Sequence, residues 1–396
     1  MSWRLQRLDR LGFLSRGRSR HRPRDAAHLY GGPYPFIQTG DVKRANLYVR
    51  DYQQTYSEAG LQQSRLWPSG TLCITIAANI ADTAILGIDA CFPDSVIGFI
   101  ADETKADTRF VKYLFDATIQ RQVKQFTQGA AQDNLSQEKL LSIVFSVPDV
   151  NEQKRIASIL SAYDDLIENN RRRIHLLEQA ARLLYKEWFV HLRFPGHEHA
   201  KIINGVPEGW ERKVLGDVCF EVRETVSPNS LEPNTPYIGL EHMPRRSITL
   251  CEWGQAEQVT SSKHRFREGE ILFSKIRPYF HKVGIALTDG VASSDAIIIR
   301  PADPNLLALV LMTTSSDGFV AVTAQQMKEG SKMPRADWKQ MQQYPVPLPP
   351  DGLLGTFNDF VDHILDHLKT LAFANKRLSA ARDLLLSRLM NGEIAA

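Results

Sequence analysis

The feature that most restricts what this chain can fold into is that it repeats itself at a near-constant interval. Pro35-Phe36-Ile37 is matched 201 residues on by Pro236-Tyr237-Ile238, and Trp67-Pro68-Ser69-Gly70-Thr71-Leu72 is matched 199 on by Phe266-Arg267-Glu268-Gly269-Glu270-Ile271. Gly129 and Gly330 are 201 apart, as are Val147-Pro148 and Leu348-Pro349, and Leu177 to Leu184 align with Leu378 to Leu385 at the same offset. A constant offset over half a chain means two copies of one layout, and 396 residues exceed a single compact core. Each copy opens with short β-type runs between turn residues, as at 71–76, 95–100, 270–274 and 296–299. A proline-marked stop and a long helix follow. The expected fold class is therefore α+β. Its β-rich regions span 1–148 and 210–350, its long helices 149–190 and 351–392, and a Pro/Gly-rich connector covers 191–209. The first copy starts abruptly, because Trp3 aligns with Trp210 only at an offset of 207, which leaves fewer residues before the first shared motif.

The helices carry the most regular pattern. Ile156, Leu160, Tyr163, Ile167, Asn170, Ile174, Leu177, Ala181, Leu184 and Trp188 recur at alternating steps of four and three. Phe357, Val361, Ile364, Leu368, Leu371, Asn375, Leu378, Arg382, Leu385 and Leu389 do the same. Such a seam is the signature of helix pairing, and at about 1.5 Å per residue each helix is roughly 50 Å long. Asp149 with Glu152 has capping-box spacing, and Asp351 is the expected N-cap of the second helix. A polar residue in a seam costs stability and fixes register. Facing Asn170 with Asn375 in an antiparallel coiled coil sets Ile156 opposite Leu389, Ile167 opposite Leu378, Ile174 opposite Leu371 and Trp188 opposite Phe357. Only Tyr163 opposite Arg382 is mixed, and stacking accommodates it.

Composition narrows the class. Hydrophobic residues are 43% and charged residues 23%, ordinary for a globular protein. There is no bilayer-length apolar run and no signal-peptide pattern, so a cytoplasmic location is expected. Cys73, Cys91, Cys219 and Cys251 form no C-x-x-C pair, which argues against zinc and for reduced, buried thiols. The net charge of +3 says little, but its distribution says more: eight arginines (Arg4, Arg7, Arg10, Arg16, Arg18, Arg20, Arg22, Arg24) stand in the first 24 residues against only Asp9. That cluster suits a phosphate backbone, or else forms a solvated arm.

Signals of catalysis fail on inspection. Pro148-Asp149 with Glu152-Gln153-Lys154 has the letters of a PD-(D/E)xK nuclease, but all fall at one helix start, where capping explains them. No phosphate-binding G-x-x-x-x-G-K-[ST] loop, adenine-methyltransferase motif or nucleophile arrangement is present. His197-Glu198-His199 is too closely spaced for a helical metal site. His363 and His367 lack the intervening carboxylate of H-E-x-x-H and are expected to face solvent or a partner.

With the repeat and the seams in place, the chain resembles the specificity subunit of type I restriction-modification enzymes over nearly its whole length. The most specific stretches are Gly31-Gly32-Pro33-Tyr34-Pro35-Phe36-Ile37-Gln38-Thr39-Gly40-Asp41-Val42, Ile76-Ala77-Ala78-Asn79-Ile80-Ala81 and Glu152-Gln153-Lys154-Arg155-Ile156-Ala157-Ser158-Ile159-Leu160. Lys275-Ile276-Arg277-Pro278 and Leu389-Met390-Asn391-Gly392-Glu393-Ile394 add to them. The resemblance implies two target recognition domains, each followed by a spacer helix, the two helices packing antiparallel and holding the domains apart. Each domain would read half of a bipartite, asymmetric DNA site. Two methyltransferase subunits and two restriction (motor-nuclease) subunits would dock, with S-adenosylmethionine, ATP and magnesium held by those partners and no cofactor by this chain. Two other readings compete: a stand-alone nuclease using Asp149, Glu152 and Lys154, and a coiled-coil scaffold without a DNA role.

Base reading needs bidentate groups, Arg or Lys for guanine and Asn or Gln for adenine, whereas phosphate contacts only fix position. The first half offers Gln38, Thr39, Lys43, Asn79, Gln128, Gln132 and Asn134. The second offers His242, Arg245, Arg246, Lys275, Arg277, Tyr279, Lys282, Lys328, Lys332 and Arg335, with the basic loop 328–335 the foremost. Amides in one half and cations in the other predict unlike half-sites.

Overall fold

The computed structural model describes residues 3–77, 80–120, 137–325 and 334–395. It is a mixed helix-and-sheet structure whose packing divides into two units, one of residues 1–169 with 376–396 and the other of residues 170–375.

In the first unit five strands, β1 (Gly12–Arg16), β2 (Tyr48–Val49), β3 (Leu72–Thr75), β4 (Thr83–Leu86) and β5 (Val96–Ala101), form one sheet in the order β1-β5-β3-β4-β2. Every side chain of β3 and β4 is buried, as in a central strand covered on both faces. The long helix α1 (Val150–Tyr185) follows the strand Val144–Val147, which pairs antiparallel with Arg4–Arg7.

The second unit repeats this plan. Strands β6 (Cys219–Val222), β7 (Thr249–Leu250), β8 (Ile271–Ser274), β9 (Val283–Ala286) and β10 (Ala296–Pro301) lie in the order β6-β10-β8-β9-β7. Glu211–Val214 pairs with Pro345–Leu348, and helix α2 (Asp351–Met390) comes next. The register repeats too: Leu72 faces Phe99 and Ile85, and Ile271 faces Ile299 and Ile285. The turn before the central strand is the same in both copies. Gly70 (φ +86°) donates to the Leu86 carbonyl and Gly269 (φ +85°) to the Ala286 carbonyl, at 2.8 and 2.9 Å. The residue before each glycine donates its N–H to a carboxylate, Ser69 to Asp89 and Glu268 to Asp289. Only glycine adopts this left-handed conformation without penalty.

The first copy is not short of an element. The strands at Arg4–Arg7 and Gly12–Arg16 match Glu211–Val214 and Cys219–Val222 at an offset near 207, which falls to 201 by Pro35. The first copy therefore carries six extra residues between 16 and 35, where Arg18, Arg20, Arg22 and Arg24 lie. That segment is no free arm. Arg18 N–H donates to the Phe92 carbonyl, Ser64 Oγ–H to the Arg18 carbonyl, and Arg20 and His21 N–H to Gln63 Oε1. Arg16 reaches the Asp94 carbonyl at 2.9 Å and Arg24 pairs with the Asp94 carboxylate.

Every seam position of α1 and α2 is buried or half-buried, whereas His363 and His367 are exposed. In the second unit Asn170 Nδ2 donates to Asn375 Oδ1 at 2.9 Å, and the Trp188 and Phe357 rings lie 5.8 Å apart. In the first unit Ile156, Leu160 and Leu389 share one apolar core. The stacking expected of Arg382 on Tyr163 is replaced by an ion pair: Arg382 binds Asp164, whose side chain is only 1% exposed. A buried carboxylate outcompetes a ring face for a guanidinium. Asp351 also differs from expectation. It lies inside the first turn, where the helix dipole favours it, and the Pro350 carbonyl accepts from Leu353 and Leu354. Among the described residues no single helix is long and apolar enough to cross a membrane.

Candidate nucleic-acid interface

In the second unit the loop between β8 and β9, residues 275–282, carries three of the cationic candidates, Lys275, Arg277 and Lys282, together with Tyr279. Two segments far away in sequence hold it. Arg277 N–H donates to the Pro334 carbonyl, and Ala336 N–H to the Lys275 carbonyl. Arg246 N–H donates to the His281 carbonyl, and Lys282 Nζ reaches the Leu240 carbonyl at 2.5 Å. Arg277, His281 and Arg246 have φ of 48°, 54° and 56°, so three non-glycine residues of one small region are left-handed. Each such residue costs about 1–3 kcal/mol, and strain of this kind collects where a side chain must be aimed.

The candidates divide by what they touch. Lys275 Nζ donates to the Ser294 carbonyl and lies 3.9 Å from Glu221. Burial holds its ammonium below the usual lysine range against the pull of Glu221, and burial, followed by Arg245, does the same to Lys282. His242 Nδ1 accepts from Gly239 N–H, and Arg335 pairs with Asp295 at 3.2 Å. Lys275 and Lys282 thereby tie the loop to its neighbours, while His242 and Arg335 are engaged beside it. Arg245, Arg277 and Tyr279 are exposed, Tyr279 at 53%. The Arg245 guanidinium lies 4.0 Å from the centre of the Phe280 ring and that of Arg277 5.7 Å. Two arginines on an aromatic platform beside an exposed tyrosine can stack on bases, fork to a guanine edge or bind phosphate.

The equivalent loop of the first unit, residues 76–82, has no lysine or arginine in its sequence. Ala81 (φ 66°) occupies the place of His281. Gln38 and Thr39 start a short helix, Thr39–Arg44, and Lys43 lies on it. The Gln38 amide is tied to Gln54 Oε1 at 2.6 Å. Asn79, Gln128, Gln132, Asn134, Lys328 and Lys332 lie outside the described residues. Inspection of the sequence missed Phe280, Arg65 and Asp94. Arg65 stacks on Phe13 and Trp67, and Asp94 anchors Arg16 and Arg24. Asp94 aligns with Asp295 at the repeat offset, a signal that comparing the two copies would have exposed.

The residues with nuclease-like spacing are occupied structurally. Asp149 Oδ1 accepts from Asn151 and Glu152 N–H, Glu152 pairs with Arg155, and Gln153 Nε2 donates to the Lys105 and Pro148 carbonyls.

The structure is a repeated fold with a cationic loop at one of two equivalent places, and comparison with known proteins shows what it is similar to. Residues 11–179 match the family described as the type I restriction modification DNA specificity domain. The chain is 22% identical over 386 residues to the type I restriction enzyme MjaIX specificity subunit of Methanocaldococcus jannaschii, covering 92% of this chain and 88% of that protein. It is 23% identical over 346 residues to the EcoDI specificity subunit of Escherichia coli, covering 79% and 75%. The crystal structure of the type I restriction-modification S subunit from M. genitalium has the same fold, with a TM-score of 0.59 at 14% identity over 98% of this chain and 96% of that one. Residues 11–179 thus carry the match to the DNA specificity domain, and the chain is similar over most of its length to type I restriction enzyme specificity subunits.

Proposed function

We propose that this chain reads a bipartite, asymmetric DNA sequence for a type I restriction-modification complex and has no catalytic site of its own. The observation that supports this best is the unlike chemistry of two equivalent loops on a repeated fold. Residues 275–282 present Arg277 and Tyr279 on a braced cationic frame, while residues 76–82 carry no cation. One architecture bearing two different surfaces suits a site with two different halves. In this reading the recognition domains are 1–148 and 210–350, joined by the linker 191–209. The spacer helices 149–190 and 351–392 form an antiparallel coiled coil that sets the gap between half-sites. Asn170 and Asn375 fix its register. Two methyltransferase subunits and two restriction subunits dock on the chain, and S-adenosylmethionine, ATP and magnesium stay with them.

The test is methylation-sensitive genome sequencing of a host expressing this chain with its cognate methyltransferase. The expected result is a modified adenine in a motif of two unlike halves around a fixed gap, lost when this chain is deleted. A palindromic motif, or an active complex with no motif, would refute the reading.

A further inference from the structure

The second unit holds a cavity of about 310 Å³ lined by Arg182 and Tyr185 of α1, by Lys186 just beyond it, and by His281, Ser316, Asp317 and Tyr344. Arg182 stands out because its Nε and Nη2 are buried and have no hydrogen-bond partner among the described residues. Burial pulls this guanidinium below its ordinary value, with Glu178 opposing. Yet the nearby acids are engaged elsewhere. Glu178 Oε1 accepts from Ser247 Oγ, Ile248 N–H and both Thr249 donors. Asp317 is 78% exposed and pairs with Arg246 at 2.9 Å. His281 Nε2–H donates to the Ser315 carbonyl at 2.8 Å and its Nδ1 lies 3.5 Å from Asp317; both favour the charged ring, but burial outweighs them and holds it below the usual histidine range. Lys186, one helical turn beyond Arg182, adds another positive charge.

The other copy of the fold shows what a closed version looks like. The first unit has a cavity at the matching place, lined among others by Lys112, Tyr113, Asp116, Asp164 and Arg382. At an offset of 200, the one relating β5 to β10, Lys112 matches Met312 and Asp116 matches Ser316. Arg382 is neutralised by Asp164, and Lys112 by Asp116 at 2.6 Å. At the helices' offset of 201 Arg382 matches Ala181, so the arginine of the second unit stands one residue along, and neither acid has a counterpart: Ser316 replaces one and Leu365 the other, while the exposed Asp317 lines the cavity. Two adjacent N–H groups of a guanidinium form a side-on fork matched to two oxygens of a carboxylate or phosphate. Leaving such a fork buried and unmade costs free energy, and a bound oxyanion would recover it.

We propose that this cavity is a binding site for a small oxyanion, a carboxylate or a phosphate ester, held by Arg182 Nε–H and Nη2–H with Lys186 and the Ser316 and Tyr344 hydroxyls around it. The volume is roughly ten waters' worth, so it admits an anionic head with a small body attached. Met312, where the first unit has Lys112, gives that body an apolar wall.

The full-length chain is titrated calorimetrically with inorganic phosphate and, separately, with benzoate, against a chloride background. Crystals are soaked in selenate to locate the anion by anomalous scattering. The site predicts one-to-one binding of at least one probe, weakened tenfold or more by Arg182→Gln and unchanged by Lys201→Gln at an exposed cation outside both sites, with selenate beside Arg182. Phosphate alone assigns the phosphate class, benzoate alone the carboxylate class, and both a general oxyanion site. Binding unaffected by Arg182→Gln, binding lost in Lys201→Gln, or no binding of either probe with no selenate at Arg182 overturns the proposal.

Discussion

Arg382 and Arg182, each lining a cavity of its own unit, should respond oppositely to the same substitution. In the first unit Asp164 Oδ2 accepts from Tyr113 Oη at 2.5 Å, and Oδ1 accepts from Asn46 Nδ2 at 3.3 Å and from Arg382. Arg382→Met deletes the only cation of that set and leaves a carboxylate whose side chain is 1% exposed. Breaking a buried pair by removing one partner costs about 3–5 kcal/mol. Replacing the buried set together, in Asp164→Leu with Arg382→Met and Tyr113→Phe, removes the stranded charge and the hydroxyl that Asp164 satisfies, and should return stability to within about 1 kcal/mol of the parent. In the second unit Arg182→Met removes a guanidinium that has two buried, unpartnered nitrogens. It should be neutral or stabilising by up to about 1 kcal/mol, as expected where a site trades stability for binding. Urea unfolding of the full-length variants, followed by far-ultraviolet circular dichroism, gives the comparison. The reasoning is refuted if Arg382→Met costs less than about 1 kcal/mol, or if Arg182→Met costs as much as Arg382→Met.

Three further outcomes follow from the same geometry. Asn375→Leu strands the Asn170 amide and should destabilise by about 1–3 kcal/mol, while the double leucine variant should regain that loss, both read by urea unfolding. Arg277→Ala should weaken specific DNA binding by about 1–3 kcal/mol if it forks to guanine, or lower the salt slope by about 0.9 if it binds phosphate; Tyr279→Ala should cost about 1–3 kcal/mol if a base stacks there. Filter binding at several salt concentrations separates these outcomes, and no change in either variant removes the loop from the interface. Burial depresses His281, so the unfolded chain binds the proton more readily; stability from this group is full above about pH 6.5 and is lost as pH falls through the lower folded value. His281→Gln should flatten the acid side of the stability–pH curve.

Much of this was legible in the chain itself. Period and spacing are local properties, so the offset of about 200 residues predicted a sheet order that recurs strand for strand, and heptad steps predicted which helix positions avoid solvent. The facing asparagines needed only the assumption that a polar seam residue seeks its like. What the sequence could not state is which distant groups meet once the backbone closes. The cationic loop is one surface because Arg246, Pro334 and Ala336 bond to residues 275–282, and its left-handed positions depend on that bracing. Arg382 chose Asp164 over Tyr163 because a buried charge pair outweighs stacking, an energy that exists only after desolvation. Nothing in the local sequence singles out Arg182. Packing turned it into a buried donor, because the acids near it in sequence and space had already been drawn to other partners.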